Sequence, residues 1–196
     1  FRGSFFDNMT RGFTALAQSV PIFWLCLLFI LVFAVVLNIL PSGGRSTPSL
    51  DNSIDLGDRI RHLILPSVTL AIGGIAAFAR IMRTETLEVI GLDYVRTAKA
   101  KGLSDRTIWF RHALRNALIP LMTILGPAIV GILSGAIVIE TIFAWPGMGR
   151  LTLNAVSQKD FPMVLGSGMF FAMLTIIGNL LSDIFYAVVD PRVRLS

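Results

Sequence analysis

The stretch that decides the fold is residues 22–37, which read IFWLCLLFILVFAVVL and contain no charged side chain. A helix needs about 20 predominantly apolar residues to cross the hydrocarbon core of a bilayer. Apolar residues on both sides extend this stretch, so we expect a membrane-spanning helix over about 16–40. Composition agrees, because 54% of the 196 residues are hydrophobic and only 15% are charged, whereas soluble domains carry about 25% charged residues. The sequence therefore favours a membrane protein over a soluble globular domain.

Three further apolar segments have the length of membrane spans and cover about 63–83, 116–139 and 161–189. Polar segments separate the four predicted spans, at residues 42–61, 84–115 and 140–160. We therefore expect an all-α, polytopic membrane protein that forms a single transmembrane domain over residues 1–196.

Basic residues are distributed unequally between the two sides that four spans define. One side holds twelve Lys and Arg residues, and the other holds five, namely Arg45, Arg59, Arg61, Arg150 and Lys159. Because short cytoplasmic loops carry an excess of Lys and Arg, we expect both ends of the chain and the segment 84–115 to be cytoplasmic. The segments 42–61 and 140–160 are then periplasmic loops. This asymmetry explains the net charge of +5 without a nucleic-acid partner.

Metal, disulfide and nucleotide chemistry find no support in the sequence. Cys26 is the only cysteine and lies within an apolar run, where a buried small hydrophobe is expected. His62 and His112 lie far from it and from each other, without the spacing of zinc ligands. The sequence also lacks the GxxxxGK[ST] phosphate-binding loop of ATPases. We expect no metal site and no catalytic site in this chain.

The segment 84–115 carries the most information about function. The second span continues without a helix breaker to Gly91, which can end it. Asp93 is a candidate N-cap for a short helix over 94–101, and Gly102 suits the position after the last turn of that helix. A short exposed helix between two glycines is suited to insertion into a groove on a cytoplasmic partner. An ordinary connector between two spans is the alternative.

Within the predicted spans, small and polar residues mark two faces. Gly131 and Gly135 have the GxxxG spacing that lets helices pack closely in lipid; a flexible, pore-lining helix is the alternative. Asn179 and Asp183 share one face of the last span. A charged side chain at that depth is expected to face protein or water and not lipid.

Several stretches match a known family in order along the chain. Residues 93–102 read DYVRTAKAKG and residues 111–120 read RHALRNALIP. Together they resemble the cytoplasmic signature of ABC importer permeases, in the form usual for the B-type subunit of the dipeptide, oligopeptide and nickel branch. The stretches 1–4 (FRGS), 140–149 (ETIFAWPGMG) and 190–194 (DPRVR) resemble the same branch. The resemblance covers essentially the whole chain.

The signature departs from the general permease pattern. The place of its Glu-Ala-Ala holds Arg96, Thr97 and Ala98. The places of its Ile and Pro hold His112 and Arg115. Both departures are usual for the peptide branch. Family members normally have six spans, so we expect the first two spans to be missing from this chain.

The resemblance implies two functional segments. Residues 93–102 would form a coupling helix that docks in a cleft on an ATPase subunit, with Tyr94 and Ala98 packed in the groove. The coupling residues that it implies are Gly91, Asp93, Tyr94, Val95, Arg96, Thr97, Ala98, Lys99, Lys101, Gly102, Arg111 and Arg115. The loop 140–160 would face a substrate-binding protein or form the outer gate. The residues implied there are Glu140, Trp145, Pro146, Gly147 and Gly149.

The resemblance also implies partners and a location. The partners are two ABC ATPase subunits, a second, C-type permease subunit, a periplasmic or lipid-anchored substrate-binding protein and membrane lipid. ATP and Mg would act on the ATPases, so this chain would bind no cofactor and catalyse no reaction. The implied location is the cytoplasmic (inner) membrane of a bacterium or archaeon. The implied substrates are di- or oligopeptides.

Other functions remain open at this stage. The same type of importer could carry nickel chelates or another small solute. An ATPase-independent channel or carrier would need ionisable residues at mid-span, and only Asp183 and Arg80 approach that description. A membrane enzyme would need a catalytic constellation, which the sequence does not offer. The glycine-bounded helix in the segment 84–115 favours a coupled machine over a simple membrane anchor.

Overall fold

The computed structural model describes residues 3–47 and 55–189, without the side chains of residues 105, 111, 112 and 189. The described part is helical and contains no β-strand, which confirms the all-α class. Its α-helices are α1 (Phe5–Ser19), α2 (Ile22–Phe29), α3 (Leu56–Gly91), α4 (Asp93–Ala100), α5 (Asp105–Thr107), α6 (Leu114–Ala117), α7 (Ile119–Ser134), α8 (Ile137–Ile142), α9 (Met148–Ser157) and α10 (Phe161–Val189). Two π-helical stretches continue α2 and α5, over Ile30–Val36 and Ile108–Ala113.

Within the described residues, three helical segments are long and apolar enough to cross a membrane, namely Leu56–Gly91, Ile119–Ile142 and Phe161–Val188. The first apolar stretch differs from the straight helix expected over 16–40. There α1 and the helix that begins at Ile22 meet at 99°. The two helices make a fourth span only if this bent pair crosses the membrane as a single span. The break lies at Pro21, which precedes Ile22 and has no backbone N–H to continue the bonding of α1.

The chain divides into two compact units, and the first comprises residues 1–76 and 131–172. Its core is formed by Cys26, Leu65, Ile139 and Phe143, so α2, α3 and α8 meet there. Cys26 is completely buried and free, which confirms its expected role as a small core hydrophobe.

The second unit comprises residues 77–130 and 173–196. One cluster in it joins Val89 at the end of α3 to Ala113 and Ala117. The close helix contact lies at Gly126, where a Cβ atom would overlap the carbonyl oxygen of Gly178 on α10. Within the described residues the space beside Gly131 is open, so the packing expected from the GxxxG spacing involves no helix of this chain at that point and stays a prediction.

The predicted third span is not one continuous helix. Gly135 has a φ of +94°, a backbone conformation that glycine adopts far more readily than other residues. It ends α7, and α8 begins after Ala136. Gly135 therefore interrupts the helix between α7 and α8, which the GxxxG interpretation did not anticipate.

Candidate functional site

The predicted docking helix exists as α4, one residue earlier than expected. Leu92 has the extended backbone of the N-cap, without a side-chain hydrogen bond, and Asp93 lies in the first turn. The prediction of Asp93 as N-cap is therefore wrong. Its carboxylate still suits the positive N-terminal end of the helix dipole. It also lies 3.6 Å from the Arg96 guanidinium, and both side chains are exposed, so this ion pair contributes little to stability.

One face of α4 is anchored to the chain itself. Val95 and Ala98 are 2% and 8% exposed and cluster with Ile108. Burying these three apolar side chains stabilises the position of a helix too short to be stable alone. Ala98 was expected to enter a partner's groove, and the structure corrects this, because its side chain faces Ile108.

The exposed part of the α4 surface is polar and cationic. The side chains exposed there include Arg96, Thr97, Lys99 and Lys101. Thr97 donates its hydroxyl to the Asp93 carbonyl over 2.9 Å, which is a bond within the helix. Two cations on an anchored, eight-residue helix and a third at its C-cap form a positively charged surface. Such a surface favours acidic groups on whatever contacts it.

Tyr94 connects α4 to the base of α7. Its hydroxyl oxygen accepts a hydrogen bond from the Asn116 side-chain amide over 2.8 Å. Asn116 lies in α6, which leads through Leu118 into α7. Asn116 belongs to the motif at 111–120, and the sequence alone predicted no role for it. Because α6 and α7 are consecutive, this bond joins the docking helix to a predicted span.

The C-terminal end of α4 matches the prediction. Gly102 has a φ of +74°. Its N–H donates to the Lys99 carbonyl oxygen, and the Leu103 N–H donates to the Ala98 carbonyl oxygen. These two bonds are those of the Schellman motif, with glycine at the position after the cap. Gly91 is different, because it is the last residue of α3 and does not have a positive φ.

The two remaining coupling candidates lie beyond α4. Arg115 is exposed in α6. Arg111 lies on the π-helical stretch, and its side chain is outside the described residues. The motif at 190–194 is outside them as well.

In the segment 140–160, Glu140 is the organising residue. It is only 8% exposed and lies in α8. Its Oε1 accepts the Ala136 N–H over 3.1 Å, and its Oε2 accepts the Arg150 N–H over 2.7 Å. Ala136 precedes α8 and Arg150 lies in the first turn of α9. One carboxylate therefore caps the positive N-terminal ends of two helices.

Three glycines make room for this carboxylate. A Cβ atom at Gly135 would lie 2.6 Å from Oε1, one at Gly149 would lie 3.1 Å from Oε2, and one at Gly147 would overlap the carboxyl group. Sequence reasoning placed Glu140, Gly147 and Gly149 in one loop and missed this cradle. The structure brings these three together with Gly135, so Glu140 faces its own chain.

Trp145 and Pro146 lie between α8 and α9. The Trp145 N–H donates to the Glu140 carbonyl over 2.8 Å. Its side chain is half-buried and Pro146 is exposed. Ala144 has a φ of +48°, which reverses the chain just before Trp145. The loop thus presents Trp145 and Pro146 from a backbone that the Glu140 carboxylate holds.

A second polar group, not predicted from the sequence, connects the segment 43–47 to α3. The Thr47 hydroxyl donates to Asp58 Oδ1 over 2.8 Å, and the Thr47 N–H donates to Oδ2 over 2.6 Å. His62 is 6% exposed, and its Nδ1 lies 3.0 Å from the Gly43 carbonyl oxygen. The i, i+4 spacing of Asp58 and His62 was the signal available in the sequence.

This group is not a hydrolytic triad, although it contains a hydroxyl, an imidazole and a carboxylate. His62 Nε2 lies 3.3 Å from Thr47 Oγ1 and 3.5 Å from Asp58 Oδ1. In a triad the carboxylate binds the other ring nitrogen, Nδ1. The Thr47 N–H and hydroxyl bonds hold the pKa of Asp58, at the exposed start of α3, below its usual value, as expected for hydrogen bonds to the charged form.

Metal chemistry has no site in the described ranges. Within residues 3–47 and 55–189, no three His, Cys, Asp or Glu side chains are grouped to hold a metal ion. The two candidate segments offer surfaces in fixed positions instead. Helix α4 is a cationic helix on an apolar base, and the segment 140–149 is a loop held by a buried carboxylate.

Comparison with known proteins decides the family. Residues 1–195 match the model of the family described as "Binding-protein-dependent transport system inner membrane component". The chain belongs to this family. As a member of it with several apolar helices, it is an all-α, multi-pass inner-membrane protein.

Curated relatives in the family carry transport names. The chain is 42% identical over 176 residues to the oligopeptide transport system permease protein AppB of Bacillus subtilis, covering 90% of this chain and 55% of the relative. It is 39% identical over 212 residues to the dipeptide transport system permease protein DppB of Escherichia coli K12, with coverages of 98% and 62%. The di/tripeptide permease protein DppB of Pseudomonas aeruginosa is 40% identical over 209 residues, with coverages of 98% and 62%. The chain thus spans between 55% and 62% of the length of these relatives.

Proposed function

We propose that this chain is part of a permease subunit of an ABC importer and forms half of a translocation pathway for peptides. The observation that carries the proposal is the similarity, over 90% or more of the chain, to relatives named as dipeptide, di/tripeptide and oligopeptide transport permeases. The permease itself catalyses no reaction. ATP and Mg act on separate ATPase subunits, and a second, C-type permease completes the pathway.

The coupling surface of the proposal is the exposed face of α4. Arg96, Lys99 and Lys101 are available there, while Val95 and Ala98 hold the helix against Ile108. A helix fixed in this way moves as a rigid element when a partner displaces it. Closure of two ATPase subunits on ATP would draw α4 with them, and the spans attached to it would change between two states. Gly91, Arg111 and Arg115 flank this surface in sequence.

The outer surface of the proposal is the loop that Glu140 holds. In the proposed orientation both ends of the chain and the segment 84–115 are cytoplasmic, and the loops 42–61 and 140–160 are periplasmic. The spans remain proposed at about 16–40, 63–83, 116–139 and 161–189. Trp145 and Pro146 would then meet a substrate-binding protein or form the outer gate. Their rigid support favours this role, because a docking or gating element needs a fixed base.

The test is uptake by the complete permease that contains this chain. It is reconstituted in vesicles with its C-type partner, its two ATPases and its binding protein, and offered a labelled dipeptide, a labelled pentapeptide and a nickel chelate. We expect accumulation of peptide that needs both ATP and the binding protein. Uptake that persists without the ATPases would contradict the importer, and uptake of the nickel chelate alone would contradict the peptide substrate.

A further inference from the structure

The imidazole of His62 lies at the start of a chain of contacts that runs to the outer loop. His62 belongs to α3, and its Nδ1 faces the Gly43 carbonyl oxygen at 3.0 Å. A carbonyl only accepts, so Nδ1 donates this bond. On the other side of the ring, Nε2 lies 3.3 Å from the Thr47 hydroxyl. The ring therefore holds the Gly43 end of the short segment 43–47 by a hydrogen bond and contacts the Thr47 hydroxyl at the other end.

The same segment holds the end of α8. The Gly44 N–H donates to the Phe143 carbonyl oxygen over 2.7 Å. Phe143 is the C-cap of α8, and carbonyls at the end of a helix lack partners within it. Gly43 lies so close that a Cβ atom there would be 2.5 Å from the same oxygen. Only glycine at 43 allows this approach, so the contact is part of the fold and not an incidental surface contact.

From α8 the contacts continue to Trp145. Phe143 is 1% exposed and shares a core cluster with Leu65 of α3. Three residues earlier in the chain, Glu140 accepts the Arg150 N–H, and its carbonyl accepts the Trp145 N–H. All these residues lie in the first unit, residues 1–76 and 131–172. The position of Trp145 thus depends on contacts that begin at His62.

We propose that His62 is a positioning residue for the outer loop, acting through Gly43 and Phe143 on the segment that presents Trp145 and Pro146. It holds the two outer loops of the first unit as one surface. This inference rests on the proposed import function, because it assigns the surface that meets the substrate-binding protein. His62 itself touches neither substrate nor partner.

The physical part of the test is hydrogen–deuterium exchange on the assembled transporter in nanodiscs. His62→Leu replaces the imidazole by an apolar side chain of similar size and so removes both ring nitrogens. We expect faster exchange in peptides that cover 43–47 and also in peptides that cover 143–150. Ile60→Ala, at an exposed position of the same helix, serves as control and leaves both unchanged. Acceleration confined to 43–47 would overturn the proposal, because the effect would stop at the first loop.

The functional part measures how the ATPase activity of the complex responds to added binding protein. For His62→Leu we expect the concentration of binding protein at half-maximal stimulation to rise about five- to tenfold, as for the loss of one or two hydrogen bonds. The maximal stimulated rate should stay within about twofold. His62→Gln retains a donor for the Gly43 carbonyl and should recover part of the response. An unchanged half-maximal concentration, with faster exchange at 143–150, would overturn the positioning role.

Two further variants keep the test decisive. If His62→Leu does not assemble, Thr47→Val removes the hydroxyl that contacts Nε2 and donates to Asp58, and it should give the same changes in a weaker form. Absence of any change in Thr47→Val and His62→Gln together would overturn the proposal. Failure of the import function is separate, because wild-type vesicles would then show no binding-protein response while the exchange experiment still reports on the contacts.

Discussion

The Ser182 hydroxyl of α10 donates a hydrogen bond to the carbonyl oxygen of Thr123 in α7 over 2.7 Å. Thr123 lies one helical turn before Pro127, which is inside α7. Proline has no N–H, so the carbonyl four residues earlier lacks its helical partner. In a membrane such a freed carbonyl must be satisfied by a neighbouring helix. Ser182 therefore permits Pro127 to stand in the middle of α7.

Replacing Ser182 by Ala is expected to destabilise the contact between α7 and α10, because the Thr123 carbonyl then has no donor. Interhelical bonds of this kind are worth about 0.6–2 kcal/mol in membranes, so we expect a loss in that range. Ser167→Ala is a matched control, because the hydroxyl of Ser167 is also buried on α10 but bonds to Val164 of its own helix. Thermal unfolding in detergent measures both, and equal effects would contradict the role of Ser182.

Glycines 126 and 131 should respond oppositely to the same substitution. Gly126→Ala places a methyl group onto the Gly178 carbonyl oxygen, and overpacking of this kind costs about 1–3 kcal/mol or more. Gly131→Ala meets open space within the chain, and alanine is about 0.5–1 kcal/mol better than glycine inside a helix. Unfolding midpoints of the two variants give the comparison. A neutral Gly126→Ala would show that α7 and α10 do not approach closely at this point.

The contacts of α7 with α10, together with the capping of α4, indicate what the sequence could predict and what it could not. The glycine that ends α4 follows from capping, which involves residues a few positions apart, whereas the predicted N-cap was one residue off. The Gly126–Gly178 contact joins residues far apart in the chain, and spacing within one helix does not reveal it. The GxxxG interpretation therefore chose Gly131 and Gly135, although the latter has a positive φ and ends α7.

The same distinction separates the two candidate segments. Apolar length and the positions of basic residues were enough to recognise a membrane protein, and motif order was enough to place α4 and the loop at 140–149. The burial of Ala98 against Ile108 and the cradle around Glu140 depend on how the chain folds back on itself. For that reason Ala98 and Glu140, which were expected from the sequence to face partners, support the fold of the chain itself.

The carboxylate of Glu140 supplies the third prediction. In Glu140→Ala the N–H groups of Ala136 and Arg150 lose their acceptor. Bonds to a charged group contribute about 1.5–3 kcal/mol each, so we expect a loss of about 3 kcal/mol or more of stability. Glu140→Gln keeps one carbonyl oxygen and should lose less. Proteolysis of the assembled protein measures the opening of this loop.

Glu88→Gln provides the reference for removing a carboxylate from this chain, because Glu88 is exposed on α3. It should be indistinguishable from wild type within about 0.5 kcal/mol. If Glu140→Ala is cleaved no faster than Glu88→Gln, the carboxylate does not hold the two helices.

The bond between Tyr94 and Asn116 gives the fourth prediction, as a double-mutant cycle. Tyr94→Phe removes only the hydroxyl, and Asn116→Ala removes its donor. Each should cost about 1 kcal/mol of stability or more, and the double variant should cost less than the sum of the two, because both remove the same bond. Thr97→Val is the control, since the Thr97 bond stays within α4. Fully additive losses for Tyr94→Phe and Asn116→Ala would contradict a shared contact.

The glycine that ends α4 gives the last prediction, which tests coupling directly. Gly102 has a φ of +74° and its Cβ position is open, so a substitution there acts through backbone strain and not through a clash. For a residue with a side chain this conformation costs about 1–2 kcal/mol, and a β-branched residue resists it most. Gly102→Val should therefore displace the end of α4, and ATP hydrolysis should continue with less peptide transported, or assembly should fail. Gly12→Val is the matched control, because Gly12 in α1 lies outside the coupling residues and also has open space but does not have a positive φ. The ratio of peptide taken up to ATP hydrolysed in reconstituted vesicles measures the effect, and the same ratio in both variants and wild type would exclude Gly102 from coupling.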